Sequence, residues 1–223
     1  MDPLYSQAVK SGVFGALFFA ALIFVPAGTI CYWQGWAFLA VFAASTTAFT
    51  VYLALYDKPL LERRIKAGPW HEKEWSQKII VSLVFLGFYC LIVVSALDVR
   101  FGWSAVPAYI SVIGEALIVL SFLFIFWVIK VNSFAASTIQ VAEGQKIIST
   151  GPYANVRHPM YTGAFLLLIC MPLSLGSWWA LLLIVPFTPV LVWRILDEER
   201  FLRRNLPGYA EYAGTVRYRL YVW

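Results

Sequence analysis

The chain has 223 residues, of which 61% are hydrophobic and 13% are charged, and its mean hydropathy is +0.74. This composition is too apolar for a water-soluble domain of this size, and it predicts an all-α protein that crosses a membrane several times. We interpret the net charge of +5 as a topological signal together with attraction to anionic membrane lipids. No nucleic-acid partner is expected.

Apolar windows predict a helical bundle of about six transmembrane helices, because a helix needs about 20 residues to cross the hydrocarbon core. Four windows are long enough or nearly so: 13–33, 36–56, 79–97 and 108–129. Two shorter windows, 161–175 and 178–195, are separated by Gly176 and Ser177 alone, which predicts a tight helical hairpin. We expect a transmembrane scaffold over residues 1–131 and a catalytic region over 132–223.

The distribution of lysine and arginine predicts that both termini lie in the cytoplasm. With the N-terminus inside, all but one of the 17 Lys and Arg residues fall in inside segments, and Arg100 alone falls outside. The same assignment brings the polar segments around His158 and Glu198 to one side. We therefore expect a cytoplasmic-facing site, in a bacterial inner membrane or an endoplasmic reticulum.

Two features of the first 131 residues bear on function. The segment 56–78 is predicted to be a solvated interfacial stretch, with Trp70 and Trp75 at the headgroup layer. Glu115 lies inside the fourth apolar window, about 12 Å from its outer end. An intramembrane acid is a functional candidate, but pairing with a nearby hydroxyl is the favoured interpretation.

The segment 151–161 is polar and turn-rich, and it lies between two apolar windows. Arginine, histidine and tyrosine are seldom placed together beside hydrocarbon, because each prefers to be solvated or paired. Gly151 and Pro152 break the preceding segment, and Pro159 allows a helix to begin, so Arg157 and His158 fall near a helix N-terminus that attracts anions. The alternative is a simple loop with Arg157 at the headgroups and His158 as a cap.

A second polar cluster follows the last apolar window, where residues 197–199 are three successive acids. On a helix, Glu199 and Arg203 are attractive partners four residues apart. One face of such a helix must turn back toward the bundle, although an exposed surface helix is the simpler alternative. A turn over 206–208 and a short helix with Tyr209 and Tyr212 come next.

These two clusters resemble the isoprenylcysteine carboxyl methyltransferase family, which is related to the phospholipid methyltransferases. The matching pattern is Gly-Pro-Tyr, three residues, Arg-His-Pro-x-Tyr, a hairpin, Glu-Glu-x-x-Leu and Gly-Tyr-x-x-Tyr, within residues 140–219. The resemblance implies methyl transfer from S-adenosylmethionine, which would bind from the cytosol. It also implies a lipophilic acceptor that comes from the bilayer.

The resemblance also implies roles for particular residues. Catalytic roles fall to Glu199 and to Arg203 or Arg204, one of which would lie near the acceptor. Relatives often have Phe-Gly before the first tyrosine of the last motif, whereas this chain has Leu-Pro-Gly, which leaves open which arginine faces the site. The implied cofactor-binding residues are Gln140, Gly151, Tyr153, Arg157, His158, Pro159, Tyr161, Glu198, Tyr209 and Tyr212.

Several acceptors fit these residues, with a prenylated cysteine carboxylate favoured. A carboxylate is already ionised and needs only an arginine to orient it, whereas an amine must first lose a proton to Glu198, Glu199 or His158. An aminolipid or a thiol is the alternative within this class. Two alternatives lie outside the methyltransferases: an NADPH-dependent membrane sterol reductase, and a transporter or non-catalytic scaffold. A transporter needs a polar path through the bundle, and the helices offer few ionisable residues to line one.

Overall fold

The structure is a computed structural model that describes residues 3–65, 68–72, 74–135 and 137–221, with side chains from Val9 onward. Within these residues the fold is all-helical, apart from a single backbone bridge between Val156 and Tyr218. The α-helices are α1 (Pro3–Ala27), α2 (Trp33–Tyr56), α3 (Lys58–Ile65), α4 (Trp75–Phe101), α5 (Ala108–Val131), α6 (Pro159–Ser174), α7 (Ile184–Asn205) and α8 (Tyr209–Thr215). Short 3-10 helices span Pro69–His71, Gly151–Ala154 and Ala180–Leu183.

The predicted polytopic helical bundle is confirmed. Five helical segments of the described chain are long and apolar enough to cross a membrane: Val9–Ala27, Trp33–Tyr56, Trp75–Phe101, Ala108–Val131 and Ala180–Asn205. Helix α6 has 16 residues and is shorter, as predicted for the first arm of the hairpin. The second arm is longer than predicted, because α7 continues without a break through the acidic cluster to Asn205.

The alternating direction of the helices gives the bundle two different ends. The long segments 57–74, 132–158 and 206–221 lie at one end, which we call the polar end. The short connections 28–32, 102–107 and 175–179 lie at the other end. The cytoplasmic orientation of the polar end stays a prediction. Two of the lysines counted for that prediction, Lys66 and Lys73, lie outside the described residues.

Glycines allow helices of the bundle to pack closely. A Cβ at Gly114 of α5 would lie 2.8 Å from the backbone nitrogen of Ser174, so α5 and α6 are nearly in backbone contact. A Cβ at Gly87 of α4 would collide with the ring of Phe187 on α7. Small residues promote such close approach in membranes, where packing rather than the hydrophobic effect drives helix association.

A buried carboxylate organises the opposite end of the bundle. Asp98 accepts hydrogen bonds from Ser104 N at 2.7 Å, Ser104 Oγ at 2.6 Å and Ser177 Oγ at 2.5 Å. The hydroxyl of Tyr32 donates to the carbonyl oxygen of Leu175 nearby. These bonds tie the α4–α5 connection to the α6–α7 turn, and they fix the hairpin at the end away from the polar segments.

The prediction that Glu115 pairs with a nearby hydroxyl is wrong for the residues that the structure describes. Glu115 is 8% exposed, and neither of its carboxylate oxygens has a hydrogen-bond partner there. The hydroxyl of Ser111, one turn earlier on α5, is also buried without a partner. Two other buried hydroxyls, Ser95 of α4 and Ser121 of α5, donate to backbone carbonyls of their own helices.

We expect the substitution Gly114→Ala to destabilise the protein by about 1–3 kcal/mol, because the added methyl group would press on the backbone of α6. Gly12→Ala on α1 is the matched control, since a Cβ at position 12 meets no atom within 4 Å. Thermal unfolding of the detergent-solubilised variants measures both effects. Equal melting temperatures for the two variants would contradict close α5–α6 packing.

Candidate functional site

A cavity of about 480 Å³ lies at the polar end, between α3, α4, α6, α7 and the α5–α6 linker, residues 132–158. Its polar wall includes Arg64, Asn132, Gln140, Lys146, Tyr153, Arg157, His158, Tyr161, Arg194, Glu198 and Tyr209. Its apolar wall includes Val81, Val84, Phe85, Leu168, Phe187 and Leu191. The volume lies within the range of small-molecule sites, and the cavity offers both polar and hydrocarbon-like surroundings.

The linker reaches the cavity through a 3-10 turn and the start of α6. Gly151 begins the turn with a φ of +57°, a backbone conformation that favours glycine. Helix α6 begins at Pro159, as predicted. His158 occupies the N-cap position, and its side chain makes no capping hydrogen bond. The backbone nitrogens of Arg157 and His158 donate to the carbonyl oxygens of Tyr218 and Arg219 at 3.0 and 2.9 Å. The linker is therefore held by the C-terminal segment.

Glu199 is the centre of a buried ion cluster behind the cavity. Its carboxylate lies 2.8 Å from Arg157 Nε, 3.3 Å from His158 Nε2 and 3.2 Å from Arg219 Nε. The N–H of Arg157 Nε does not point along the 2.8 Å line, so this contact is an ion pair without a hydrogen bond. Glu199, Arg157 and His158 are 4%, 7% and 5% exposed. The cluster joins α7, the linker and the C-terminal segment.

A second polar network crosses the cavity wall from α6 to α7. The hydroxyl of Tyr161 donates to Glu198 Oε2 at 2.5 Å and accepts from Arg194 Nε at 3.3 Å. Arg194 Nη2 lies 2.8 Å from Glu72 Oε1, and Glu72 Oε2 accepts from the backbone nitrogen of Ile139 at 3.3 Å. Because Arg194 occupies the Tyr161 oxygen as a donor, the Tyr161 proton is directed to Glu198.

The sequence analysis missed Arg194, Glu72 and Gln77. Arg194 hydrogen-bonds Gln77, and Gln77 in turn hydrogen-bonds Asp197. The prediction of a solvated segment over 56–78 is wrong for Glu72 and Gln77, which are 4% and 2% exposed, because buried Arg194 requires a counter-charge and acceptors. The available signal was Arg194 itself, a charge at the end of an apolar window.

Seven of the ten predicted cofactor-binding residues line the cavity. They are Gln140, Tyr153, Arg157, His158, Tyr161, Glu198 and Tyr209. The other three, Gly151, Pro159 and Tyr212, shape the wall without lining it: the hydroxyl of Tyr212, for example, donates to the carbonyl oxygen of Tyr153 at 2.7 Å. Helix α8 begins at Tyr209 after Gly208, whose φ is +82°, so the Leu-Pro-Gly turn leaves this tyrosine at the helix start.

The three residues predicted to be catalytic do not lie at the cavity in the described structure. Arg203 and Arg204 are exposed, and Glu199 is turned into the ion cluster. The cavity face of α7 carries Arg194, Glu198 and Leu202 at spacings of four residues. Positions 203 and 204 follow Leu202 by about 100° and 200° around the helix, so their side chains face elsewhere.

Tyr209 presents an unpartnered hydroxyl in the cavity wall. The residue is 4% exposed, and its oxygen has no hydrogen-bond partner among the described residues. Burial, together with the negative charges of Glu199 and Glu198, raises the pKa of Tyr209, and burial raises the pKa of Tyr153 to about 12. Both phenols are therefore neutral donors at physiological pH. A buried donor without a partner is costly unless a ligand supplies an acceptor.

Residues 109–207 match the family model of the phospholipid methyltransferases. The matched range covers nearly all of α5, together with the linker, α6 and α7, and thus most of the cavity wall. The match confirms the predicted resemblance to the membrane methyltransferases, which act on lipid-related substrates. A search of curated proteins found no match to the chain.

We expect Glu199→Gln to lower the free energy of unfolding by about 3 kcal/mol, because the substitution leaves buried Arg157 without a counter-charge. Glu211→Gln on α8 is the control, since Glu211 is exposed and changes the net charge equally. Thermal unfolding in detergent compares the two. Similar melting temperatures would show that the ion cluster does not stabilise the fold.

Proposed function

Because residues 109–207 match a membrane methyltransferase family, we propose that the protein transfers a methyl group from S-adenosylmethionine to a lipophilic acceptor in the membrane. The observation that carries this proposal is the amphipathic cavity, which joins a hydrogen-bonding wall to an apolar wall at one end of the bundle. A polar end that faces the cytoplasm, as the Lys and Arg distribution predicts, would admit the water-soluble cofactor.

The chain's own residues fit the cofactor. Tyr209 has a donor to offer, Gln140 offers both donors and acceptors, and Arg64 and Glu198 supply charges of opposite sign. S-adenosylmethionine supplies a methyl group on a positively charged sulfur. The protein's task in such a displacement is to align the acceptor with this methyl group and to exclude water.

The two polar networks give the cavity a preorganised wall. Tyr161 fixes the orientation of the Glu198 carboxylate, and Arg194 fixes Tyr161. Leu202 and Leu206 line the cavity together with Glu198 and Tyr209 and add apolar surface there. Fixed donors and charges in a dry site do not have to reorganise during the reaction, which is an advantage over the same groups in water.

The proposed acceptor is a carboxylate on a lipid-like chain, of the prenylated-cysteine type. Val84, Phe85 and Leu191 provide an apolar wall for the chain. Four basic side chains line the cavity, whereas Glu198 is the acid among the described lining residues. Two of the four are already paired, Arg157 with Glu199 and Arg194 with Glu72, and the remaining Arg64 and Lys146 exceed Glu198 by one positive charge. This excess favours an anionic acceptor, which is already ionised at neutral pH and requires no base.

Methylation of a phospholipid amine is the second candidate. It is supported by the family match and by Glu198, whose carboxylate lines the cavity and accepts a hydrogen bond from the Tyr161 hydroxyl. An amine must lose a proton before or during methyl transfer, and Glu198 is placed to receive it. Arg203 and Arg204 are exposed, and the proposal assigns neither of them a contact in the cavity.

We expect the detergent-purified protein to bind S-adenosylhomocysteine saturably and to show no binding of NADPH. Tyr209→Phe should weaken S-adenosylhomocysteine binding about 5- to 10-fold without loss of thermal stability, because the lost hydroxyl has no protein partner. Tyr218→Phe, at an exposed tyrosine, is the control. Isothermal titration calorimetry measures all four affinities, and binding of NADPH alone would favour the reductase alternative.

The pH dependence of turnover separates the two acceptors. With a prenylated cysteine, we expect nearly constant turnover between about pH 6.5 and 8.5, because the carboxylate is ionised throughout. With an aminolipid, turnover should rise up to about tenfold per pH unit, because the fraction of neutral amine rises with pH below the amine pKa. Initial rates in lipid vesicles measure both profiles. Turnover of the aminolipid alone would reject the carboxylate acceptor.

A further inference from the structure

Arg64 is the most buried basic side chain of the cavity that has no carboxylate beside it in the described structure. Arg157 pairs with Glu199, and Arg194 pairs with Glu72. Lys146 is exposed and can be neutralised by solvent ions, whereas Arg64 is partly buried. The charge balance of the wall is thus incomplete at Arg64.

The contacts of Arg64 hold the guanidinium without neutralising it. Nη1 donates to the carbonyl oxygen of Ala135 at 3.2 Å and approaches Met160 Sδ at 3.8 Å. The guanidinium carbon lies 5.3 Å from the centre of the Phe49 ring. Burial lowers the pKa of Arg64 to about 10. A bound anion would supply the missing counter-charge.

A hydrogen bond from the linker holds the backbone of Arg64, in addition to the contacts that hold its guanidinium. Ser137 Oγ donates to the carbonyl oxygen of Arg64 at 3.1 Å, which ties α3 to the linker. A planar guanidinium in a fixed position matches the two oxygens of a carboxylate. Tyr153 lies within electrostatic reach of both Arg64 and Glu198. The wall therefore presents a cation and an acid that both lie near one tyrosine.

We propose that Arg64 binds the carboxylate of a ligand in the cavity, and that Glu198 faces the ammonium group of the same ligand. This proposal rests on the proposed function and deepens it. The amino-acid end of the cofactor carries both groups on one carbon and matches this pair of charges. A prenylated cysteine acceptor also carries a carboxylate, so the two sources must be separated by experiment.

The test compares two probes on the full-length protein in detergent. S-adenosylhomocysteine carries the amino-acid end, whereas 5′-methylthioadenosine keeps the adenosine and the sulfur and lacks that end. Arg64→Gln should weaken binding of the first probe about 10- to 100-fold and leave the second unchanged. Retained binding of 5′-methylthioadenosine also shows that the variant is folded. Arg64→Lys should bind S-adenosylhomocysteine with an affinity between those of the unaltered protein and Arg64→Gln.

Arg63→Gln is the matched control on the same helix. Arg63 does not line the main cavity. Its Nη2 donates to the carbonyl oxygen of Ser133 at 2.8 Å, and the residue lines an adjoining, smaller cavity of about 260 Å³, which shares Thr138 and Gln140 with the main one. We expect this variant to bind both probes like the unaltered protein. If Arg63→Gln lost as much S-adenosylhomocysteine affinity as Arg64→Gln, the proposal would be overturned. The loss would then come from removing any positive charge on this helix and not from a contact of Arg64.

A second arm uses N-acetyl-S-farnesylcysteine and its methyl ester as acceptor-like probes. If Arg64→Gln weakens binding of the acid alone and leaves S-adenosylhomocysteine unaffected, the acceptor supplies the carboxylate. If the variant changes no affinity, or weakens both adenosine probes equally, the role of Arg64 is rejected while the proposed function stands. If the unaltered protein binds neither adenosine probe, the proposed function fails and this inference fails with it.

Discussion

The burial of the Glu199 carboxylate is the constraint on which the polar end depends. A carboxylate that is 4% exposed is tolerated only with compensating partners. Arg157 in the linker and Arg219 in the C-terminal segment supply charges, and His158 in the linker supplies a ring nitrogen. Three pieces of chain that are far apart in sequence must therefore meet at one atom group. The start of α6, which shapes the cavity, is positioned as a result.

About one and a half turns before Glu199, helix α7 carries a buried cation instead of a buried anion. Arg194 is a buried cation, and its compensating groups, Glu72 and Gln77, come from the N-terminal part of the chain. Helix α7 thus contacts the C-terminal half of the chain through the anion Glu199 and the N-terminal half through the cation Arg194. Glu198 lies between these two centres on the cavity side and keeps its position because both neighbours are fixed.

Sequence patterns predicted the bundle, the start of α6 at Pro159 and seven of the residues that line the cavity. These features depend on local signals: apolar length, turn residues and a compact motif. Glu72 and Arg64 were not predicted, because their partners lie on elements distant in sequence and only packing brings them together. The exposed Arg203 was misplaced for a related reason, since a charged run does not itself show which face of a helix meets the bundle.

The contact between Gly87 and Phe187 bears on how long a hydrocarbon tail the protein could accept. From Gln77 to Gly87, α4 rises by about 15 Å, half of a hydrocarbon core of about 30 Å. Beyond Gly87 the two helices touch, so a tail lying along Val84 and Phe85 would have to turn out into the lipid at that depth. Carbons past the turn would be solvated by the bilayer, and tails of different total length would then differ little in affinity.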